Sequence, residues 1–167
     1  SNMILETNQG NATLIKAFKE ANPKFPVASS LMYSVYKLLP NDTDSTIFRE
    51  DGDIDSYFFA FIDGHYNYHS ANDNMQNLDW DSLAHQGSYL LPLLHYFADA
   101  DLNSLKSERD HVYFNFPIVK IIDYPFNWIL PMLFLGILTF GGLVVYGLRK
   151  NVLQVKSIFI GFLPFLF

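Results

Sequence analysis

Histidine and carboxylate side chains in one polar segment could bind a metal ion. The segment Tyr66-Asn67-Tyr68-His69-Ser70-Ala71-Asn72-Asp73 places an aspartate four positions after His69. Imidazole is the commonest metal ligand, and a nearby carboxylate can fix its tautomer. A zinc site needs at least three protein ligands, so His69 requires partners from elsewhere. The pattern predicts a metal-ligand role for His69, with Asp73 close to it.

The other histidines carry weaker signals. His65 lies four residues before His69, but an extended chain does not bring two such rings together as a helix does. Isolated histidines are most often surface residues or hydrogen-bonded core residues. That ordinary role is favoured for His85, His95 and His111.

A buried strand is expected directly before this segment. Residues 56–62 read Ser-Tyr-Phe-Phe-Ala-Phe-Ile, are apolar on both faces, and end at Asp63-Gly64. Residues 65–79 are rich in Asn, Tyr, His and Asp without a period, which is typical of a functional loop. Open α/β sheets bind ligands at the C-terminal ends of their strands. A second polar loop, residues 41–46, contains Asp44, and its short polar side chains could direct oxygen atoms towards a site.

Two helices are predicted before the strand. The first covers residues 12–18 and stops at Asn22-Pro23. The second begins near Ser29, has an apolar face that we expect to be buried, and ends at Pro40.

A third helix is predicted after the loop. It begins at Asp79 or Asp81 and runs to about Ala98, with a kink at Pro92. Residues 99–125 show no clear period and are interpreted as an irregular linker.

A hydrophobic helix is predicted over residues 126–148. The segment has no charged residue, and its 23 residues at about 1.5 Å each span roughly 34 Å, enough for a bilayer core of about 30 Å. Trp128 and Tyr146 lie near its two ends, as interfacial aromatic residues do. The alternative is a core helix of a globular protein, but such helices rarely run so far without a charge. We therefore interpret the segment as a transmembrane helix.

The basic residues around the helix predict its orientation. Arg149, Lys150 and Lys156 follow it at once, whereas only Lys120 lies close before it, which places the C-terminal side in the cytoplasm. Residues 149–156 are then a cytoplasmic loop, and residues 157–167 are the start of a truncated second span.

Composition excludes several classes of function. All 17 acidic residues lie before residue 124 with only 8 of the 11 basic ones, so nucleic acid is not an expected partner. The chain has no cysteine and therefore no disulfide or thiolate site. Residues 1–30 contain no signal-peptide pattern.

Four segments, in order, resemble the closing part of metallopeptidase family twenty-eight, the di-zinc aminopeptidases, in the subgroup with several transmembrane helices. The family's closing pattern is Tyr-His-Thr-x-x-Asp-Thr-x-Glu-Asn-Leu-Asp, and the spacing here is the same. Ser70 stands for the first Thr, Asn74 for the second and Gln76 for Glu. The segments are Leu39-Pro40-Asn41-Asp42-Thr43-Asp44, Phe48-Arg49-Glu50, Phe59-Ala60-Phe61-Ile62-Asp63-Gly64-His65-Tyr66 and Tyr68 to Asp79.

The resemblance implies an α/β fold, the C-terminal part of a three-layer αβα domain of the zinc-aminopeptidase (phosphorylase/hydrolase-like) type, over residues 1–105. Residues 106–125 then form a juxtamembrane linker. By the resemblance, His69 is the last zinc ligand, Asp73 the carboxylate near it, and Asp44 part of a loop beside the site. Two zinc ions would polarise the substrate carbonyl while a glutamate acts as general base, and the family places that glutamate before this segment.

The expected function is therefore that of part of a membrane-anchored zinc aminopeptidase that binds peptide substrates, with the segment by itself inactive. The rival hypothesis is a non-catalytic binding or scaffold protein on the same fold, to which the departures at Ser45, Ser70, Asn74 and Gln76 lend some weight. A third interpretation, part of a transporter, rests on the hydrophobic segments alone.

The membrane is either a bacterial inner membrane, which the look of the subgroup favours, or the endoplasmic reticulum, with the acidic part on the exoplasmic side. In the latter, the triplets Asn11-Ala12-Thr13 and Asn41-Asp42-Thr43 would permit glycosylation. Peptide specificity and oligomeric state do not follow from the sequence.

Overall fold

The computed structural model describes residues 2–7, 9–39 and 43–162. The chain divides into two units, Ser1–Phe126 and Asn127–Phe167, and each is described by itself. The elements of the first unit are β1 (Asn2–Thr7), α1 (Ala12–Ala21), α2 (Ser30–Tyr36), α3 (Asp44–Glu50), β2 (Tyr57–Phe61), α4 (Trp80–Asp99), a 3₁₀ turn (Leu102–Leu105), β3 (His111–Phe116) and β4 (Lys120–Pro125).

β1 and β2 form an antiparallel two-stranded sheet. Met3 pairs with Ala60 and Ile4 with Phe59, and a bulge interrupts the register between Ile4 and Glu6. The strand predicted over residues 56–62 is confirmed, whereas the sequence did not predict β1. β2 is half-buried rather than fully buried, because within the described part of the chain β1 is its one strand partner. Together with the helices, this sheet confirms the predicted α/β class.

Aromatic rings from α1, β2 and α4 form the centre of the core. Phe18 is fully buried, and its ring meets Tyr89 edge-on with the centroids 5.8 Å apart. Phe59 contacts both rings, at 6.2 and 5.6 Å. Such aromatic pairs contribute about 0.5–1.5 kcal/mol each beyond burial of their area. The buried apolar cluster consists of Ile4, Ile15, Phe18, Ala28, Tyr89, Leu93, Tyr113 and Ile121.

The predicted first and third helices are confirmed. α1 ends where Asn22 takes a left-handed conformation at φ 54° and donates its N–H to the carbonyl of Lys19. α4 begins after Asp79, whose carboxylate accepts from the Asp81 N–H at 3.3 Å and from the Ser82 hydroxyl at 2.5 Å. The Ser82 hydrogen bond lowers the pKa of Asp79.

α2 and α3 differ from the sequence predictions. α2 is present but has no buried residue, and Leu31 on it is 70% exposed, because α2 packs mainly against β1 and β3 and leaves that face uncovered by the described residues. The predicted loop over residues 41–46 is in part the start of α3, where the Thr43 N–H donates to the Thr46 hydroxyl at 3.3 Å. Short polar residues favour helix caps as much as loops, so their composition did not separate the two. Residues 40–42 lie outside the described residues.

A β-hairpin occupies most of the segment interpreted as an irregular linker. β3 and β4 pair antiparallel, with Tyr113 opposite Asp123, and Tyr113 and Ile121 enter the core. The prediction of irregular structure over residues 99–125 is therefore wrong for these strands. Charged and polar residues alternate with the buried ones on a half-exposed hairpin, and they obscured the apolar pattern.

The second unit contains the hydrophobic helix. A 3₁₀ turn (Phe126–Trp128) leads into α5 (Ile129–Arg149), and α6 (Val155–Phe162) follows. The stretch Phe126–Arg149 is long and apolar enough to cross a membrane, and no part of it is buried within the protein. Residues 163–167, the end of the predicted second span, lie outside the described residues.

Candidate functional site

The loop that carries the predicted metal ligand follows β2 directly. It consists of successive tight turns: the Asn67 N–H donates to the carbonyl of Gly64, and the Ser70 N–H donates to that of Asn67. Gly64 adopts φ 80°, a conformation that glycine takes without strain. The sequence prediction of a long irregular loop at the C-terminal end of this strand is confirmed.

His69 has an unusual backbone conformation. Its φ is 55°, in the left-handed region that few residues other than glycine adopt. The ring stacks on that of Tyr68 with centroids 4.0 Å apart and an interplanar angle of 18°. Both side chains are exposed, and neither nitrogen of His69 is hydrogen-bonded within the described residues. The imidazole is therefore held from one side and accessible from the other.

Asp73 lies in the same loop and is exposed. Its N–H donates to the Ser70 carbonyl at 3.0 Å, which closes the turn after His69. Across the described part of the chain, its carboxylate makes no hydrogen bond to the imidazole of His69. The suggested role of this carboxylate beside the ligand stays a prediction.

Side chains of the loop hold its turns together. The Ser70 hydroxyl donates to the Asn67 carbonyl at 2.7 Å and accepts from the Asn72 N–H at 3.2 Å. The Asn74 amide oxygen accepts from the N–H groups of Gln76 and Asn77, at 3.1 and 3.2 Å. A threonine hydroxyl can make the same kinds of hydrogen bond. The departures at Ser70 and Asn74 therefore retain the hydrogen-bonding capacity of the family pattern.

Asp44 is the first residue of α3 and is exposed. A carboxylate is stabilised at a helix N-terminus, so the presence of Asp44 at this position is explained without a bound metal or ligand. Among the described residues, no three His, Cys, Asp or Glu side chains come together to hold a metal ion. Within the described residues, His69 is thus an accessible donor, but a complete metal site is not formed.

A second polar cluster was not anticipated. Asp123 on β4 binds the amine of Lys19, and its other oxygen lies 2.6 Å from Nδ1 of His111. Burial would raise the pKa of Asp123, but the hydrogen bonds from Lys19 and His111 outweigh it and hold the pKa below its usual range. Lys19 and Asp123 are 104 residues apart, so no local pattern could reveal the cluster.

The chain is similar in sequence to metallopeptidases of three mammals. It is 32% identical over 128 residues to endoplasmic reticulum metallopeptidase 1 of Rattus norvegicus, and 31% and 30% identical to those of Mus musculus and Homo sapiens. Each match covers 74% of this chain but 14% of the relative, so the chain spans a small part of those proteins. No solved structure matches the chain. The profile of Peptidase family M28 matches residues 1–94, which is more than half of the chain. The family resemblance read from the sequence is thereby confirmed, and the chain belongs to Peptidase family M28.

Proposed function

We propose that this chain is part of a membrane-anchored metallopeptidase that hydrolyses peptide bonds near a free amino terminus. His69 is the observation that carries the proposal. It lies in the segment matched by the family, on the loop that follows β2, with an accessible imidazole and with turns closed by Ser70 and Asn74. Backbone strain of this kind is concentrated at functional sites.

The metal is proposed to be zinc. The relatives are named metallopeptidases, and imidazole nitrogen suits zinc. When bound, zinc would polarise the scissile carbonyl and supply an activated water. His69 would contribute one ligand, and the other ligands and the general base would come from the rest of the protein. Asp73 and Asp44 would form part of the wall around the site.

The anchor is proposed to be the apolar stretch Phe126–Arg149. Arg149, Lys150 and Lys156 after it favour a cytoplasmic C-terminal side, which places the acidic unit in the lumen. The names of the relatives favour the endoplasmic reticulum over a bacterial membrane.

Metal analysis of the full-length protein that contains this chain tests the proposal. We expect His69→Ala to remove bound zinc and to lower kcat/KM for an aminoacyl fluorogenic substrate by at least about 100-fold. His95→Ala is the matched control, because His95 is exposed on α4 in the same unit. An N-acetylated substrate should not be cleaved, whereas cleavage of it would contradict the aminopeptidase specificity.

The same measurements distinguish the proposed peptidase from the rival hypothesis of a non-catalytic protein. A full-length protein without bound metal and without peptidase activity would indicate a binding or scaffold protein on the M28 fold. Unchanged zinc content in His69→Ala would exclude His69 as a ligand.

A further inference from the structure

A basic pocket lies on the first unit, at a distance in sequence from the predicted metal ligand. It has a volume of about 420 Å³ between α1, the segment before β3, and β4. It is lined by Ala12, Thr13, Lys16, Lys19, Lys106, Ser107, Arg109, His111 and Asp123. The proposed peptidase function uses none of these residues.

The charge of this pocket is opposite to that of the unit around it. Residues 1–126 contain 17 acidic and 8 basic residues, yet four of those eight basic residues line this one pocket. Asp123 is the single acidic side chain in the lining. Clustered cations repel one another in the absence of an anion, so the arrangement favours a negatively charged ligand.

The lysines of the pocket form only weak ion pairs with nearby carboxylates. Lys16 lies 3.8 Å from Glu20, and Lys106 pairs with Asp53, but both pairs are solvent-exposed and such pairs contribute little. Within the described residues, the Arg109 guanidinium has no acidic partner. Arginine is the side chain best suited to bind phosphate oxygens in a bidentate manner.

Backbone hydrogen bonds connect the lining of the pocket to the point where the chain leaves the unit. The Arg109 carbonyl accepts from the Ala12 N–H at 3.0 Å, and the next residue, Asp110, accepts from the Phe126 N–H at 2.9 Å. Phe126 is the last residue of the unit, and the apolar helix begins at Ile129. Three residues of chain, Phe126–Trp128, therefore separate this hydrogen-bonded end of the unit from the start of the apolar helix at Ile129.

We propose that this pocket binds the phosphate of anionic lipid headgroups on the membrane in which the chain is anchored. The inference rests on the membrane anchoring proposed above. Lys16, Lys106 and Arg109 supply the charge, while Lys19 and His111 remain paired with Asp123. The contact would fix the first unit against the bilayer surface.

Lysine labelling of the full chain in lipid nanodiscs tests the proposal. Acetylation of Lys16 and Lys106, read by mass spectrometry, should be slower in discs with phosphatidylserine than in discs of phosphatidylcholine alone. The expected protection is on the order of fivefold and should disappear in about 0.5 M salt. Lys24, exposed elsewhere in the same unit, is the internal control and should react equally in both discs.

Substitutions and free phosphate complete the test. Arg109→Glu should abolish the protection of Lys16 and Lys106, whereas Lys37→Glu, the same charge change on another surface, should not. Equal acetylation in both discs would overturn the proposal, as would equal protection by inorganic phosphate added to phosphatidylcholine discs. Co-elution of the chain with the discs is measured first. A chain that does not insert would overturn the anchoring and this inference together, while an inserted chain without protection would overturn this inference alone.

Discussion

The side chain of Asn11 acts as a strand partner for the backbone of His111. Its amide oxygen accepts from the His111 N–H at 2.7 Å, and its amide nitrogen donates to the His111 carbonyl at 3.3 Å. Asn11 is buried, and Gly10 beside it donates its N–H to the Asp110 carboxylate at 2.7 Å. One amide therefore joins the start of α1 to the start of the hairpin.

Replacement of Asn11 by alanine should destabilise the first unit. It leaves two backbone groups of His111 without partners, and we expect a loss of about 1–3 kcal/mol in the free energy of unfolding. Thermal unfolding of the full chain in detergent measures it, with Asn103→Ala at an exposed site as the control. An unchanged melting temperature would contradict this role.

The triplet Asn11-Ala12-Thr13 should carry no glycan, although the sequence permits one. Both polar atoms of the Asn11 amide are hydrogen-bonded to His111, and the residue is 6% exposed. Peptide mass spectrometry of protein secreted from or retained in a glycosylating cell checks this. A glycan on Asn11 would show that the hairpin is not attached to α1 in the cell. Asn41, in the other triplet, lies outside the described residues.

Tyr89→Phe should cost about 1–3 kcal/mol of stability. The fully buried Tyr89 hydroxyl accepts from the Val27 N–H at 2.7 Å and donates to the Phe25 carbonyl at 2.8 Å. Tyr96→Phe on the same helix is the matched control, since the Tyr96 hydroxyl binds Glu20 at the surface and should contribute under about 1 kcal/mol. Equal effects of the two variants would contradict the burial of the Tyr89 hydrogen bonds.

Asp123 should make stability depend on acidity. Its pKa in the folded state lies below its unfolded value of 3.8, so its contribution is present above about pH 4 and is lost as the pH falls through the folded pKa. The stability difference between the wild type and Asp123→Asn should therefore shrink from pH 6 to pH 3. Thermal unfolding across that range measures it. Asp99→Asn, at an exposed site, should show no comparable trend.

The loop around His69 should depend on Asn74. Asn74→Ala removes the acceptor of two N–H groups, so we expect a loss of about 0.5–2 kcal/mol in local stability and hydrogen exchange of residues 76 and 77 faster by severalfold. Asn74→Thr, the residue of the family pattern, should retain most of the protection. Asn72→Ala, whose side chain is exposed in the same loop, controls for the change in composition. Equal exchange in Asn74→Ala and the wild type would show that the backbone alone holds the turns.

Local features made part of this structure predictable from sequence. The apolar run that predicts β2 lies within the strand itself, and the Asp79 cap lies at the start of the helix α4 that it predicts. The loop between these two elements is defined once both are placed. The family could also be recognised from sequence, because the motif that contains His69 consists of consecutive residues, 68–79.

Long-range contacts limited the rest. The hairpin gains its place from Asn11, 100 residues before His111, and from Tyr113 and Ile121 in a core shared with α1 and α4. β1 pairs with β2, and the paired residues are at least 50 positions apart, as for Thr7 and Tyr57. Neither of these long-range contacts produces a periodic pattern in the sequence. The mixed polar and aromatic composition of residues 99–125 therefore suggested a linker instead of a hairpin. The candidate site is predictable only as far as His69, since its partner ligands do not occur among the described residues.

The chain segment between the folded unit and the hydrophobic helix is short, because Phe126 is still hydrogen-bonded to Asp110 of the unit. The hairpin ends at Pro125, and the 3₁₀ turn Phe126–Trp128 is the whole connection to Ile129. A longer flexible tether would let the first unit move through a wide volume around the helix. A connection of 3 residues instead limits the distance that the first unit can move from Ile129 to the reach of those residues.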